Sequence, residues 1–426
     1  MKRRLTALLL ALLMSVGLFA ACLDGAAVDQ TGPPPLMEEE YETISPGEPP
    51  PPPGEADIAA FGETEGAIWR FSQALFREVL ALDDENPLIS PLSAYYVLAM
   101  AALGTGGETL EEFSALLGRE PATLAADLER LTRQLTDTAG STNLQIAGSV
   151  WTAEDFPVNP AFHQAMVDYF SAQAQSRDFT STETVDEINA WVEEQTEGLI
   201  EELISSIGRD TVMLLINTLY LSAKWAEAFN PMTAYQDLFH PEMGEALETT
   251  FLSTSPGLFP TAITENYEAV LLPYDDGRLG FLLVRPTNGT PLRDFAAHHD
   301  LRQILAGLED RPDVQVRMPK LDLEYEILLN ELLQTLGLQA AFGDLADFSG
   351  ISTGEEPLRI SSVLQKVGML VDEEGTEAAA ATVVAIERTS IALALTELTF
   401  NTPYLFAVYD LRAGIPLFMG LLDNPT

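Results

Sequence analysis

Cysteine is almost missing from this chain. Among 426 residues there is one, Cys22, so no intrachain disulfide can form and the folded part must hold together by packing. Histidine is scarce too: His163, His240, His298 and His299 are the full set. The pair His298-His299 stands beside Asp300, but no further ligand follows at metal-binding spacing. That pair reads as a solvated helix end, and no metal or other cofactor is implied. The motifs G-x-S-x-G, H-E-x-x-H and the P-loop are all absent, which removes the common hydrolase, zincin and nucleotide-binding signatures. An enzyme is not expected. Positive charge is short as well, with 22 Lys and Arg against 65 Asp and Glu and a formal net charge of −43. A surface this acidic repels phosphate, which excludes nucleic acid as a partner and disfavours docking on sulfated sugars or anionic lipid. Its ordinary role is solubility, the alternative being adaptation to high salt. Repeats at solenoid periods are also lacking.

What is present begins with a targeting segment. Lys2, Arg3 and Arg4 precede an apolar run from Leu5 to Ala21 that is short for a membrane span. The run ends in Leu18-Phe19-Ala20-Ala21-Cys22, which resembles a bacterial lipobox with Phe19 where Leu is usual. Residues 1–21 are therefore expected to be a signal peptide and Cys22 a lipidated first residue of the mature chain. The protein would then sit on the extracellular face of a bacterial cytoplasmic membrane; a plain secretory signal cut after Ala21 is the alternative. Residues 22–57 carry Pro33-Pro34-Pro35, Glu38-Glu39-Glu40 and the run Pro49 to Pro53. Proline and like charges extend such a chain, which reads as a linker.

The folded part is expected over 58–426, and 46% hydrophobic residues supply a large core. Helical periodicity starts near Ala67 through Ile68, Phe71, Leu75, Phe76 and Val79. Ser90-Pro91 is an N-cap followed by Pro at the first helical position. The helix through Tyr96 and Leu103 is almost wholly apolar, so burial on every side is predicted, with Gly104 to Gly107 ending it. Further helices are predicted over Glu108–Leu117, Pro121–Thr136, Pro160–Phe170 and Val185–Glu194. Leu144–Trp151 and Thr211–Leu221 read as strands, the second central. Tyr267 to Pro286 reads as two strands joined at Asp275-Asp276-Gly277. Helices and strands do not alternate regularly, which favours an α+β fold.

Several ordered motifs then carry a family resemblance. They are Asn86-Pro87-Leu88-Ile89-Ser90-Pro91-Leu92-Ser93, Asn189-Ala190-Trp191-Val192, Asn217-Thr218-Leu219-Tyr220 with Lys224-Trp225, Met318-Pro319-Lys320, Glu373 to Ala381, and Pro416 to Gly420. In this order they resemble the serpins, a family of serine protease inhibitors. The resemblance implies a single domain with three β-sheets, eight or nine helices, a large sheet A and an exposed reactive-centre loop. It also implies a suicide-substrate mechanism: a protease cleaves the loop, the loop inserts into sheet A as a new strand, and the acyl-enzyme is trapped.

The hinge of that loop is Glu373, Glu374, Gly375, Thr376, Glu377, Ala378, Ala379, Ala380 and Ala381. Read as a strand, Thr376, Ala378, Ala380, Thr382, Val384 and Ile386 share one face, small or apolar throughout. Alanine also favours helix, so Glu373–Ala381 taken alone reads equally well as a helix start. Counting from Glu373 by the family's spacing puts the reactive bond at Thr389–Ser390, and a hinge one residue shorter puts it at Arg388–Thr389. Arg388 suits a trypsin-like target, Thr389 an elastase- or subtilisin-like one.

The resemblance also assigns Trp225, Lys320 and Glu373 to the point where sheet A first opens, called the breach. Ser90, Ser93, Asn189, Asn217 and Gln365 fall in the polar cluster beneath it, called the shutter, with Gln365 where the family often has His. No heparin-like cofactor is expected, since Arg130 and Arg133 stand among acids, and a monomer is expected. The rival reading within the family is a non-inhibitory binding or chaperone-like module. Such relatives tend to carry bulky, charged or proline residues where this chain has Ala378–Ala381. A surface solute-binding lipoprotein fits the anchor but not the domain motifs.

Overall fold

The computed structural model describes residues 62–82, 85–376 and 395–425, all within the compact unit from Gly47 to Thr426. The lipid-anchor residue Cys22, hinge residues Glu377 to Ala381 and the reactive-bond residues Arg388, Thr389 and Ser390 lie outside the described residues.

Helix α1 (Glu63–Leu80) starts four residues before the apolar periodicity does, with Glu63 and Glu65 in the first turn facing the positive end of the helix dipole. Strand β1 is Leu88–Ile89. Helix α2 (Pro91–Ala102) is capped by the Ser90 hydroxyl, and every residue but Val97 is buried. Its all-round burial has a direct cause: it lies between strands of two different sheets. Helix α3 (Gly107–Leu117) stops at Gly118, whose φ of 68° needs a residue without a Cβ penalty. Helices α4 (Pro121–Thr136) and α5 (Pro160–Phe170) each begin with the expected proline, on either side of β2 (Asn143–Ala153). Strand β3 (Gln173–Arg177), helix α6 (Thr182–Gln195) and strand β4 (Met213–Lys224) follow.

Strands β5 (Tyr235–Phe239), β6 (Leu247–Ser253) and β7 (Gly257–Ile263) lead to the hairpin of β8 (Tyr267–Pro273) and β9 (Leu279–Pro286), which turns at residues 274–278. Short helices α7 (Leu292–His298) and α8 (Leu301–Ala306) precede strands β10 (Glu309–Pro319) and β11 (Leu321–Leu328). Helix α9 (Asn330–Thr335), strands β12 (Leu364–Val371) and β13 (Gly375–Thr376), then β14 (Thr396–Thr399), β15 (Tyr404–Asp410) and β16 (Ile415–Leu422) complete the order.

Among the described residues the strands form two ladders. One is six-stranded, in the order β11-β12-β13-β4-β2-β3. The other is ten-stranded, in the order β1-β16-β15-β9-β8-β7-β10-β6-β5, with β14 added on β10. Three sheets were expected, and the smaller two are joined here by one strand. Strand β10 pairs with β7 at its start and with β6 at its end, bending at a bulge between Arg311 and Val314 where Asp313 has φ 54°. Both β15 and β16 are buried at every residue, so the ten-stranded ladder supplies the centre of the core.

Candidate functional site

Among the described residues, the six-stranded sheet has a gap in its middle. Strand β4 pairs with β2 along nearly its whole length, and β12 pairs with β11 over all its residues. Among the described residues only β13 stands between β4 and β12, two residues long and antiparallel to both. Gly375 lies opposite Lys224, and Thr376 lies opposite Ala223 and Val371. Among the described residues, no strand fills the space below Thr376. A cavity of about 520 Å³ occupies it, lined by residues of both flanking strands, including Asn217, Thr218 and Gln365.

Local hydrogen bonds explain why the chain turns into β13. The Asp372 carboxylate accepts from the Glu374 N–H at 2.8 Å and the Gly375 N–H at 3.2 Å, an Asx turn that reverses the backbone. Trp225 N–H donates to the Glu374 carbonyl at 2.9 Å and Phe229 N–H to the Glu373 carbonyl at 2.8 Å. Gly375 is required for a steric reason. A Cβ there would sit 2.0 Å from the Ala223 carbonyl oxygen and 2.8 Å from Lys224 Cα. The reading of this stretch as a helix start fails at Gly375–Thr376, because tertiary partners on both sides outweigh local propensity.

The three residues assigned to the breach meet here. Lys320 Nζ is 2.5 Å from a Glu373 carboxylate oxygen. The Trp225 indole N–H donates to the Asp372 carbonyl at 3.0 Å. Its ring stacks on Tyr274, with centroids 4.7 Å apart and planes 11° apart, and meets Phe229 and Phe281 edge-on. The Tyr274 hydroxyl reaches Thr376 Oγ1 at 2.5 Å. Burial pushes the Tyr274 phenol far above its ordinary range despite that hydrogen bond, so it remains a neutral hydroxyl. Nothing in the sequence singled Tyr274 out. Its one signal is an aromatic placed directly before the Asp275-Asp276-Gly277 turn.

Beneath the gap, the N-terminus of α2 touches both flanking strands. Gln365 on β12 donates from Nε2 to the Ser90 carbonyl at 2.8 Å, and the Ser90 N–H donates to Gln365 Oε1 at 3.2 Å. The Ser90 hydroxyl donates to the Leu417 carbonyl at 2.9 Å. The Ser93 hydroxyl donates to the Asn217 carbonyl on β4 at 3.0 Å. Four of the five shutter residues thus come together, and Asn189 is the exception. Its amide oxygen accepts from the N–H groups of Leu203 and Ile204, and its Nδ2 donates to the Ile204 carbonyl at 2.7 Å. Asn189 therefore fastens the segment that walls one side of the cavity. It sits on the face of α6 turned to that segment. Asn217 Oδ1 and Thr218 Oγ1 are buried with no hydrogen-bond partner among the described residues.

The matched family model is "Serpin (serine protease inhibitor)", and it spans residues 67–425. The chain belongs to the serpin family. A serpin-like protein of Thermococcus kodakarensis, TK1782, is 31% identical over 368 residues, 84% of this chain and 85% of that one. The native-state crystal structure of the thermophilic serpin tengpin superposes with a TM-score of 0.77 at 31% identity, covering 84% of this chain and 94% of that one. Human thyroxine-binding globulin in complex with its ligand shares the fold, with a TM-score of 0.76 at 22% identity over 85% of this chain and 98% of that one. The family's large sheet, sheet A, is the six-stranded sheet with the gap. Elsewhere in the serpin, Arg130 and Arg133 pair with Asp127 and Glu129 on their own helix. No group of metal-ligating side chains occurs among the described residues. The His298 and His299 rings bond to the α7 carbonyls of Asp294 and Phe295.

Proposed function

We propose that this serpin inhibits serine proteases as a suicide substrate. The observation that carries the reading is the seat of Thr376, already the first side chain of a strand between β4 and β12, with the gap continuing below it. Extending the observed register would set Ala378 opposite Leu221, Ala380 opposite Leu219, Thr382 opposite Asn217, Val384 opposite Leu215 and Ile386 opposite Met213. These residues share the buried face of Thr376, and none carries a charge. Thr382 would bring a hydroxyl to Asn217, whose amide oxygen has no partner among the described residues. Cleavage at Arg388–Thr389 or Thr389–Ser390 frees the segment to enter. The new strand pairs on both edges, and the protease, still acylated, is carried with it.

The test is incubation of the full chain with trypsin, elastase and subtilisin, followed by a denaturing gel and mass spectrometry. A covalent adduct with a released peptide beginning at Ser390 supports the Thr389–Ser390 bond; one beginning at Thr389 supports Arg388 as the specificity residue. Turnover by every protease, without adduct or gain in thermal stability, would point to a binding module instead.

We also propose that Cys22 carries a lipid and holds the protein on the outer face of a bacterial cytoplasmic membrane. The charged start, the apolar run and the single cysteine after Ala20-Ala21 support it. Radiolabelled palmitate should enter the wild-type chain, and Cys22→Ser should release it to the medium. A secreted wild-type protein would show a plain signal peptide instead.

A further inference from the structure

Tyr274 lies at the end of a hairpin of the ten-stranded ladder, yet its hydroxyl ends on the hinge of the other sheet. The residue begins the turn between β8 and β9, where Tyr274 N–H donates to the Leu279 carbonyl at 3.1 Å. Next to it, Asp275 N–H donates to the Lys224 carbonyl at 2.9 Å and Ala226 N–H to the Pro273 carbonyl at 2.9 Å. These bonds tie the turn to the end of β4. The flat stack against Trp225 fixes the plane of the ring. Little freedom is left to the phenol oxygen, and it stands 2.5 Å from Thr376 Oγ1. Tyr274 is fully buried and Thr376 is 3% exposed. Among the described residues each hydroxyl is the other's hydrogen-bond partner.

We propose that the Tyr274 hydroxyl is a positioning residue that seats the hinge of the uncleaved loop and so sets how readily the rest of the strand follows; this rests on the inhibitory reading above. The physical argument concerns three hinge states. Withdrawing Thr376 from the sheet strands the Tyr274 hydroxyl in a buried site without a partner, which is costly. Seating Thr376 satisfies both groups. Completing the insertion leaves Thr376 where it already is, so the bond persists. The hydroxyl thus opposes withdrawal without opposing insertion. The aromatic ring does not share this role, since its stack against Trp225 involves no hinge side chain.

Three variants separate hydroxyl from ring: Tyr274→Phe, Thr376→Val and the double variant. Each single change leaves one buried hydroxyl unpaired, and the double change removes both while keeping the shape. Hydrogen exchange at the Gly375 and Thr376 amides of the intact full chain reads the seating directly. The expected result is exchange about tenfold faster or more in each single variant, with a return to near wild type in the double variant. Exchange in β15 and β16 should not change, which shows that the fold is intact. With trypsin, or whichever protease forms the adduct, the single variants should need more inhibitor per protease trapped, and the double variant should recover. Wild-type exchange in Tyr274→Phe would overturn the proposal. So would a double variant as unprotected as the worse single one. If no protease is trapped by any form, the inhibitory reading fails, and the exchange data still decide whether Tyr274 seats the hinge.

Discussion

Ser90 and Gln365 satisfy each other twice. The glutamine amide donates to the Ser90 carbonyl at 2.8 Å and accepts from the Ser90 N–H at 3.2 Å, across 275 residues of sequence. Both residues are buried. One side chain on β12 therefore closes both polar groups of the residue that caps α2, and the same cap reaches β4 through Ser93.

Replacing Gln365 by Leu should leave the Ser90 N–H and carbonyl without their side-chain partner. A loss of about 2 kcal/mol or more is expected, read by chemical unfolding. Gln365→His should behave differently. Neutral imidazole can donate and accept, but imidazolium cannot accept from the Ser90 N–H. A buried His held neutral has its pKa lowered on folding. Stability of this variant should therefore be kept near neutral pH and fall as pH drops below about 6.5. The wild type, with an amide at this position, should show no such step there.

Gly375→Ala should push β13 out of the sheet. The added Cβ meets the backbone of Ala223 and Lys224, which cannot rotate away as a flexible side chain would. Overpacking of this kind costs about 1–3 kcal/mol. The expected outcome is loss of amide protection at Thr376 and, under the proposed inhibitory function, turnover of the chain by the protease in place of an adduct. Retained protection would mean that β4 moves aside instead.

The Lys320–Glu373 pair is half open to solvent, with Lys320 39% and Glu373 15% exposed. Lys320→Met should therefore lower stability by no more than about 1 kcal/mol. The difference from wild type should shrink at about 1 M salt, where screening is short-ranged. Thermal unfolding at low and high salt measures it.

Asp127 gives the acid limb of stability a local source. Burial alone would raise its carboxyl, but hydrogen bonds from Thr64 at 2.6 Å and Arg119 at 2.9 Å, with the charge of Arg119, hold it below the usual range. A carboxylate lowered on folding binds fewer protons folded than unfolded. Its contribution is complete above the ordinary carboxylate pKa and is lost as pH falls through about 4 and below. Asp127→Asn should reduce stability at neutral pH and flatten the loss on acidification, as melting curves across that range would show.

The elements that were legible in sequence are those decided by local chemistry. Ser90-Pro91 announced a capped helix, Pro121 and Pro160 opened helices at the residues predicted, and the Asp275-Asp276-Gly277 turn joined the two strands expected around it. Apolar runs in β4 and α2 correctly signalled central positions, the strand between two neighbours of its sheet and the helix between strands of two sheets. The motifs contain Trp225, Lys320 and Glu373, which lie together where the chain turns into β13. Other features depended on distant contacts. Asn189 and Asn217 look alike in sequence, yet helix rotation turns one toward residues 203–204, while strand pairing sets the other against β2 and above Ser93. Whether Gly375–Thr376 would be helix or strand had no local answer. The carbonyl of Ala223 and the phenol of Tyr274 decided it, and only the tertiary fold brings them to the hinge.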